Sequence, residues 1–282
     1  MWTLEQEQYL RDFYTKTPIH TLIETLGKSD QAILKKAQRL GLTGSGTKGT
    51  KVSLSRKMYS HNEKFFSEYT LESCYVAGLI AADGNICFNQ GKYPIISLSL
   101  QERDSHLVED VANMLNFNGI THRIEARQDL ILGRKCDVQP QKKLQISGCY
   151  QLARDLKDKF NITPRKSHTL KPPPLDNQEY RLAFTAGLLD GDGTVKVATV
   201  RGKYRYLNTG FYGNLEMCVW VREIYRDVLG REPPKLVQNK SSGLWYAGLS
   251  GKLALSFLQK VYSLQIPHLK RKKEVFLTFL GD

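Results

Sequence analysis

The chain has 282 residues, 41% of them hydrophobic, and a net charge of +13. That length supports one large domain or two to three small ones with real cores, and no apolar run is long enough to span a bilayer. The excess of Lys and Arg selects polyanions, nucleic acid before anionic membrane, because neither a basic amphipathic helix with a bulky apolar face nor a lipidation motif is present. The cysteines Cys74, Cys87, Cys136, Cys149 and Cys218 are scattered and form no CxxC pair. They argue for a reducing, intracellular compartment and against zinc, and the acid-bearing amphipathic N-terminus does not read as a secretion signal.

Residues 1–42 read as three short helices. Leu4, Tyr9, Leu10 and Phe13 mark one apolar face, and Thr17-Pro18 begins a helix carrying Ile19, Leu22, Ile23 and Leu26 that Gly27 ends. Ser29 or Asp30 caps a third helix, Gln31 to Leu40, with Ala32, Ile33, Ala37 and Leu40 inward and Lys35, Lys36 and Arg39 outward. Three short helices with a basic third one resemble a helix-turn-helix unit of the Myb or homeodomain type, in which the last helix enters the major groove. Residues 43–58 are a Gly/Ser/Thr/Lys linker whose Lys48, Lys51, Arg56 and Lys57 are suited to following phosphates.

The rest of the chain is an internal repeat. Cys74-Tyr-Val-Ala-Gly-Leu-Ile-Ala-Ala-Asp-Gly84 returns as Phe184-Thr-Ala-Gly-Leu-Leu-Asp-Gly-Asp-Gly193. Each copy is followed by two strand-like runs, an amphipathic helix, a further strand signal (Leu144 to Gly148; Tyr246 to Gly251) and a last helix. Each half therefore reads αββαββα. The pattern predicts an α+β fold: halves 59–170 and 180–282, a Pro-rich connection over 171–179, and the small three-helix domain in front.

Within the repeated helix, Ala77 and Ala81, and Gly78 and Ala82, stand four apart and make small-sided faces, as do Ala186, Gly187 and Gly191 in the second copy. Small faces let two helix backbones approach closely, while Val76, Leu79, Ile80, Leu188 and Leu189 turn to the core. Gly84 and Gly193 are expected to end the helices with positive φ. Asp83 and Asp192 then stand side by side at two helix C-termini, where dipoles and like charge both oppose them. Such a pair calls for a cation. All-oxygen ligands and phosphate contact fit Mg²⁺, and two acids holding metal against a phosphodiester is a known route to hydrolysis.

These two segments resemble two copies of the LAGLIDADG motif of homing endonucleases, and the resemblance spans nearly the whole chain after residue 58. It implies a pseudo-two-fold pair of αββαββα subdomains whose antiparallel sheets form a DNA-binding saddle, with the motif helices at the interface. It implies a site-specific endonuclease, a monomer with internal pseudo-symmetry, that cuts both strands of a long site and leaves short 3′ overhangs; intron homing, an intein origin and a free-standing gene are all compatible with it. By the same resemblance the last acid of each motif, Asp83 and Asp192, binds the metal, with the Ala82 and Gly191 carbonyls as further candidates. Mg²⁺ is the expected ion, with Mn²⁺ substituting and Ca²⁺ binding without supporting cleavage. Gln101 falls where the family places a polar residue contacting water at the metal, with Asn214 as its counterpart. Lys166 and Lys272 fall at the family's basic position, where a lysine stabilises phosphorane charge or polarises water; Arg165, Lys270, Arg271 and Lys273 read as a phosphate-binding or solvated basic cluster. Ala81 departs from the motif, whose earlier acid survives only as Asp190, so cleavage biased to one strand is a live outcome.

Base-edge contacts are assigned to outward strand residues. In the first half these are Asn85, Asn89, Gln90, Lys92 and Ser97, then Arg127, Gln128, Arg134, Lys135, Gln139, Gln141 and Lys143 in a second hairpin. In the second half they are Lys196, Arg201, Lys203, Arg205, Asn208, Gln238, Asn239 and Lys240. The alternatives are a DNA-binding regulator of the same fold without cleavage, and an intron RNA maturase, which the helix-turn-helix disfavours because A-form RNA hides its major groove. His61-Asn62 alone does not make an HNH nuclease.

Overall fold

The computed structural model describes residues 2–14, 17, 19–42, 59–89, 93–131, 134–166 and 169–281. The chain forms two compact units, Met1–Ser60 and His61–Asp282.

The first unit holds α1 (Leu4–Phe13), α2 (Ile19–Leu26) and α3 (Asp30–Arg39). Thr3 starts α1 with a capping box closed by Gln6, and Ser29 caps α3 through the Ala32 amide. Gly27 ends α2 at φ +61°, a conformation that favours glycine. Leu10, Tyr14, Leu22, Leu26, Ile33 and Ala37 make the core. Two expectations change here. Leu4 is 87% exposed, since the inward face of α1 turns through Leu10 and Tyr14 instead. Lys36 is half-buried, paired with Glu7 and 5.9 Å from the centre of the Trp2 ring, whereas Lys35 and Arg39 are exposed. Pro18 and the linker cations Lys48, Lys51, Arg56 and Lys57 lie outside the described residues.

The second unit is the duplicated α+β fold. Its first half runs α4 (Leu71–Asp83), β1 (Gly84–Asn89), β2 (Tyr93–Gln101), α5 (Ser105–Met114), β3 (His122–Ile124), β4 (Arg127–Ile131), β5 (Arg134–Val138), β6 (Gln141–Ser147) and α6 (Tyr150–Phe160). Its second half runs α7 (Gln178–Gly191), β7 (Thr194–Val200), β8 (Tyr204–Gly213), α8 (Leu215–Leu229), β9 (Val237–Gln238), β10 (Trp245–Ser250), α9 (Lys252–Ser263) and α10 (Lys270–Gly281). The sheets repeat the same antiparallel order, β1-β2-β6-β3 and β7-β8-β10-β9. The first half departs from a plain αββαββα pattern. β4 and β5 form a separate two-stranded hairpin between β3 and β6, where the second half has only the turn over residues 239–244.

Pairing register makes the equivalence of the halves quantitative. Gly84 faces Leu98 and Thr194 faces Gly210; extending the second register by one residue sets Gly193 opposite Phe211, which makes Asn85 equivalent to Thr194 and Ser97 to Gly210. Each strand buries alternate side chains against the helices: Ile96, Leu98 and Leu100 on β2, and Leu207, Thr209 and Phe211 on β8. One continuous core runs through both halves.

Candidate active site

Thr70 opens α4 with a capping box through Ser73, and Asn177 opens α7 by accepting from Glu179 N and Tyr180 N. The two helices then pack backbone to backbone. A Cβ on Gly78 would lie 2.0 Å from Phe184 O, and one on Gly187 would lie 2.1 Å from Tyr75 O. Any side chain at either place would force the helices apart. Both helices are buried almost all round, as a central pair must be.

The glycines after the aspartates have a different reason from the one expected. Gly84 has φ −79°, and Gly193 too is outside the left-handed region. Their missing Cβ atoms leave room for the preceding turn: a Cβ would come within 2.7 Å of Ile80 Cα at Gly84 and 2.6 Å of Leu189 Cα at Gly193.

Asp83 is the last residue of α4 and Asp192 caps α7. A Cβ on Gly191 would stand 3.1 Å from Asp83 Oδ2, so the Asp83 carboxylate crosses to the end of the partner helix, next to Asp192. Both aspartates reach solvent, but the helix ends crowd them. Loss of hydration, then the charge of Asp192, raises the Asp83 pKa to about 6 against the pull of Lys272 and Lys166. Burial also raises Asp192, opposed by the same two lysines.

The lysines serve the helix ends. Lys166 Nζ donates to Gly84 O at 2.6 Å and Ala82 O at 3.4 Å. Lys272 Nζ has four carbonyls within reach: Leu189 at 2.5 Å, Gly193 at 2.7 Å, Asp190 at 2.9 Å and Gly191 at 3.2 Å. Each ammonium thus satisfies carbonyls that a helix terminus leaves open and offsets its negative pole. Burial lowers the pKa of both, that of Lys272 to about 8. Of the neighbouring cations, Arg271 pairs through Nε with the buried Asp104 at 3.0 Å, and Lys273 lies 6.0 Å from the centre of the Tyr262 ring. Arg165 and Lys270 are exposed.

Asp190 stays off this site. Its Oδ2 accepts from Tyr75 Oη at 2.9 Å and from Leu269 N at 3.0 Å, tying α4, α7 and the approach to α10 together. Burial raises its pKa to about 6. At the equivalent place across the pseudo-dyad stand Phe184 and Ala81, an apolar pair.

Register makes Gln101 and Asn214 equivalent, three residues beyond Leu98 and Phe211. Their chemistry differs. Gln101 is exposed at the end of β2. Asn214 is spent on structure: it caps α8 through Met217 N at 2.9 Å and donates to Leu170 O at 2.7 Å.

The outward sheet face of the first half carries Asn85, Ser97 and Gln145 in one row and Ser99, Lys143 and His122 in another, with Gln141 beside Gln101. Lys196 pairs with Asn208 across β7 and β8, and Ser250 donates to Asn208 Oδ1 at 2.6 Å. Arg201, Lys203, Arg205 and Lys240 are exposed around them, and Asn89, Arg127 and Gln139 are exposed in the first half. Gln128 is engaged with Asp137, Gln238 with Gly243 O, and Asn239 organises its own turn through Ser241 and Ser242. Gln90 and Lys92 lie outside the described residues, as do the side chains of Arg134 and Lys135. Sequence reasoning missed Gln145, Tyr75, Tyr212 and Tyr246. Strand alternation would have found Gln145, Tyr212 and Tyr246; nothing local marks Tyr75.

For metal, the site supplies two carboxylates and the second lone pairs of the Ala82 and Gly191 carbonyls. This all-oxygen set fits a hard divalent cation, which would offset both the lost hydration and the charge of Asp192 that raise the Asp83 pKa. Among the described residues no group of three or more His, Cys, Asp or Glu side chains forms a metal cluster.

Neither a family model nor a curated protein matches the sequence. Among solved structures, the chain is similar to the LAGLIDADG homing endonuclease I-LtrWI bound to target DNA, with 11% identity and a TM-score of 0.49 over 77% of this chain and 90% of that one. It is also similar to I-SmaMI bound to uncleaved DNA target in the presence of calcium ions, at 14% identity and TM-score 0.47 over 74% and 91%. A third is the LAGLIDADG homing endonuclease I-GzeII in complex with DNA target, at 14% identity and TM-score 0.44 over 73% and 87%.

Proposed function

We propose that this protein is a site-specific double-stranded DNA endonuclease of the homing type, working inside the cell as a monomer with internal pseudo-symmetry. The observation that carries the reading is the aspartate pair. Two carboxylates are held at the ends of two helices packed backbone to backbone, and a lysine braces each end. Nothing in packing rewards such a pair, since both acids face the negative poles of their helices.

Asp83 and Asp192 hold divalent cations, Mg²⁺ first, with Mn²⁺ as a substitute and Ca²⁺ as a binder that does not support cutting. The cation supplies a Lewis acid that activates water and neutralises charge on the leaving oxygen. Lys166 and Lys272 fix the helix ends, and so the carboxylates, and contribute positive potential where phosphorane charge develops. Gln101 is free to orient water at one centre, while Asn214, committed to its cap, is not. The outward sheet faces lie in the major groove of a long site: Asn85, Ser97, Gln141, Gln145 and Lys143 on one half, Lys196 and Asn208 on the other. Arg201, Lys203, Arg205 and Lys240 follow the backbone.

The test is cleavage of a randomised duplex library in Mg²⁺, with Ca²⁺ in parallel. Cuts at one site with short 3′ overhangs are expected. Asp83→Asn and Asp192→Asn should each lower the rate by about 10³-fold or more while binding in Ca²⁺ stays intact. Enrichment by binding with no cut ends in any metal would turn the reading to a DNA-binding regulator. The N-terminal helices extend the site as a helix-turn-helix, with Lys35 and Arg39 outward and the linker following phosphate. Deleting residues 1–45 should shorten the footprint without moving the cut, and an unchanged footprint would refute this role.

A further inference from the structure

We infer that the two sheets read their half-sites by different chemistry, and that Tyr246, backed by Tyr212, is a surface for the 5-methyl edge of thymine. This rests on the endonuclease reading above.

On β8 and β10 the outward positions include Gly210, Tyr212, Tyr246 and Gly248. The Tyr246 ring lies flat across both glycines. A Cβ on Gly210 would meet Tyr246 Oη at 2.3 Å, and one on Gly248 would meet Tyr246 Cε1 at 2.2 Å. Neither glycine has the positive φ that would demand glycine, so both are there for the ring. The Tyr212 ring packs against it with centroids 4.5 Å apart. Tyr212 is 45% exposed. The result is a rigid aromatic floor that begins two strands from Asp192.

Register gives the counterpart in the other half. Ser97 stands where Gly210 does, Gln145 where Gly248 does, Ser99 for Tyr212 and Lys143 for Tyr246. Beside Asn85, that row offers amides and hydroxyls, which bond the donor and acceptor edges of bases. The row beginning at Thr194 offers the hydroxyls of Thr194 and Tyr212 and the aromatic carbon of Tyr246, whose own hydroxyl is turned to Thr209 O at 3.5 Å. The cations around it, Lys196, Arg201, Lys203, Arg205 and Lys240, are exposed and suit a polyanion. An apolar floor in a major groove has one base-edge group to meet, the thymine methyl. The same feature sets this half against RNA, whose uracil lacks the methyl.

The experiment uses the full chain in Ca²⁺ and the duplex selected above, with each thymine replaced in turn by deoxyuridine. Burying a methyl is worth about 0.8 kcal/mol, which corresponds to roughly a fourfold loss of binding per critical thymine. Losses should cluster in one half-site, vanish in Tyr246→Ala and persist in Tyr246→Phe. If Tyr246→Ala does not fold, Tyr246→Lys, carrying the side chain found at this place in the other sheet, makes the same comparison. Indifference to uracil, or losses unchanged by Tyr246→Ala or Tyr246→Lys, would overturn the inference alone. Selection of no duplex at all would instead defeat the endonuclease reading.

Discussion

Where the second half of the chain places Asp190 near the end of its motif helix, the first half places Ala81, and the partner residues have changed to match. Asp190 takes hydrogen bonds from Tyr75 and Leu269; the equivalent of Tyr75 is Phe184, with no hydroxyl to leave unpaired. The lysines differ in step. Lys272 reaches four carbonyls and Lys166 two. Gene duplication would supply two identical halves, but burial imposes a rule on how they diverge. A buried acid and its donor must be kept or lost together, because either alone is an unsatisfied polar group. The polar solution ties three elements around one centre, while the apolar solution leaves the other centre to packing.

The comparison can be tested most forcefully at the lysines. Lys272→Met should cost about 2–4 kcal/mol in urea unfolding, since it uncovers several buried carbonyls, and Lys166→Met about 1–2 kcal/mol. Equal losses would mean that the extra carbonyls of Lys272 carry no weight. The acid pair comes next. Asp190→Ala should cost about 2–3 kcal/mol by stranding Tyr75 Oη and Leu269 N, and adding Tyr75→Phe should return about 1 kcal/mol. Simple additivity in that double-mutant cycle would break the argument that the two residues changed as a unit.

The smallest effect concerns Asp83. Its pKa, about 6 in the folded protein and roughly 3.9 in an unfolded chain, means that the native state resists ionisation. Stability contributed by the protonated form is therefore lost as pH rises from the unfolded value through the folded one. With a chelator present, Asp83→Asn should melt above the parent beyond pH 6, and the gap should close toward pH 4. Asp190, also raised to about 6, is common to both proteins and cancels in the difference. Mg²⁺ should raise the parent's melting temperature and leave that of Asp83→Asn unchanged. A gap that persists at low pH would assign the effect to something other than this carboxylate.

Much of the site was legible because it is written in local pattern. The repeat, the small-residue faces of the two helices and the order of strands all follow from side-chain period and size, and so does the placement of Asp83 and Asp192. The equivalence of Gln101 and Asn214 was legible for the same reason, and register carries it. What failed was the assignment of partners. Lys36 read as an outward cation and is bound to Glu7; Asn214 read as a water ligand and is a helix cap. Gly84 was rightly marked as special, but its cause is the approach of Ile80 rather than a left-handed turn.

By itself, then, the sequence determined the duplication, the element types and the meeting of two acids at two helix ends, because hydrophobic period and residue volume act within a few residues. The tertiary structure alone decided which polar group each long side chain satisfies, why Gly210 and Gly248 lie beneath Tyr246, and that β4 and β5 stand apart from the main sheet. Those choices depend on groups far away in the chain, brought together only when the core closes.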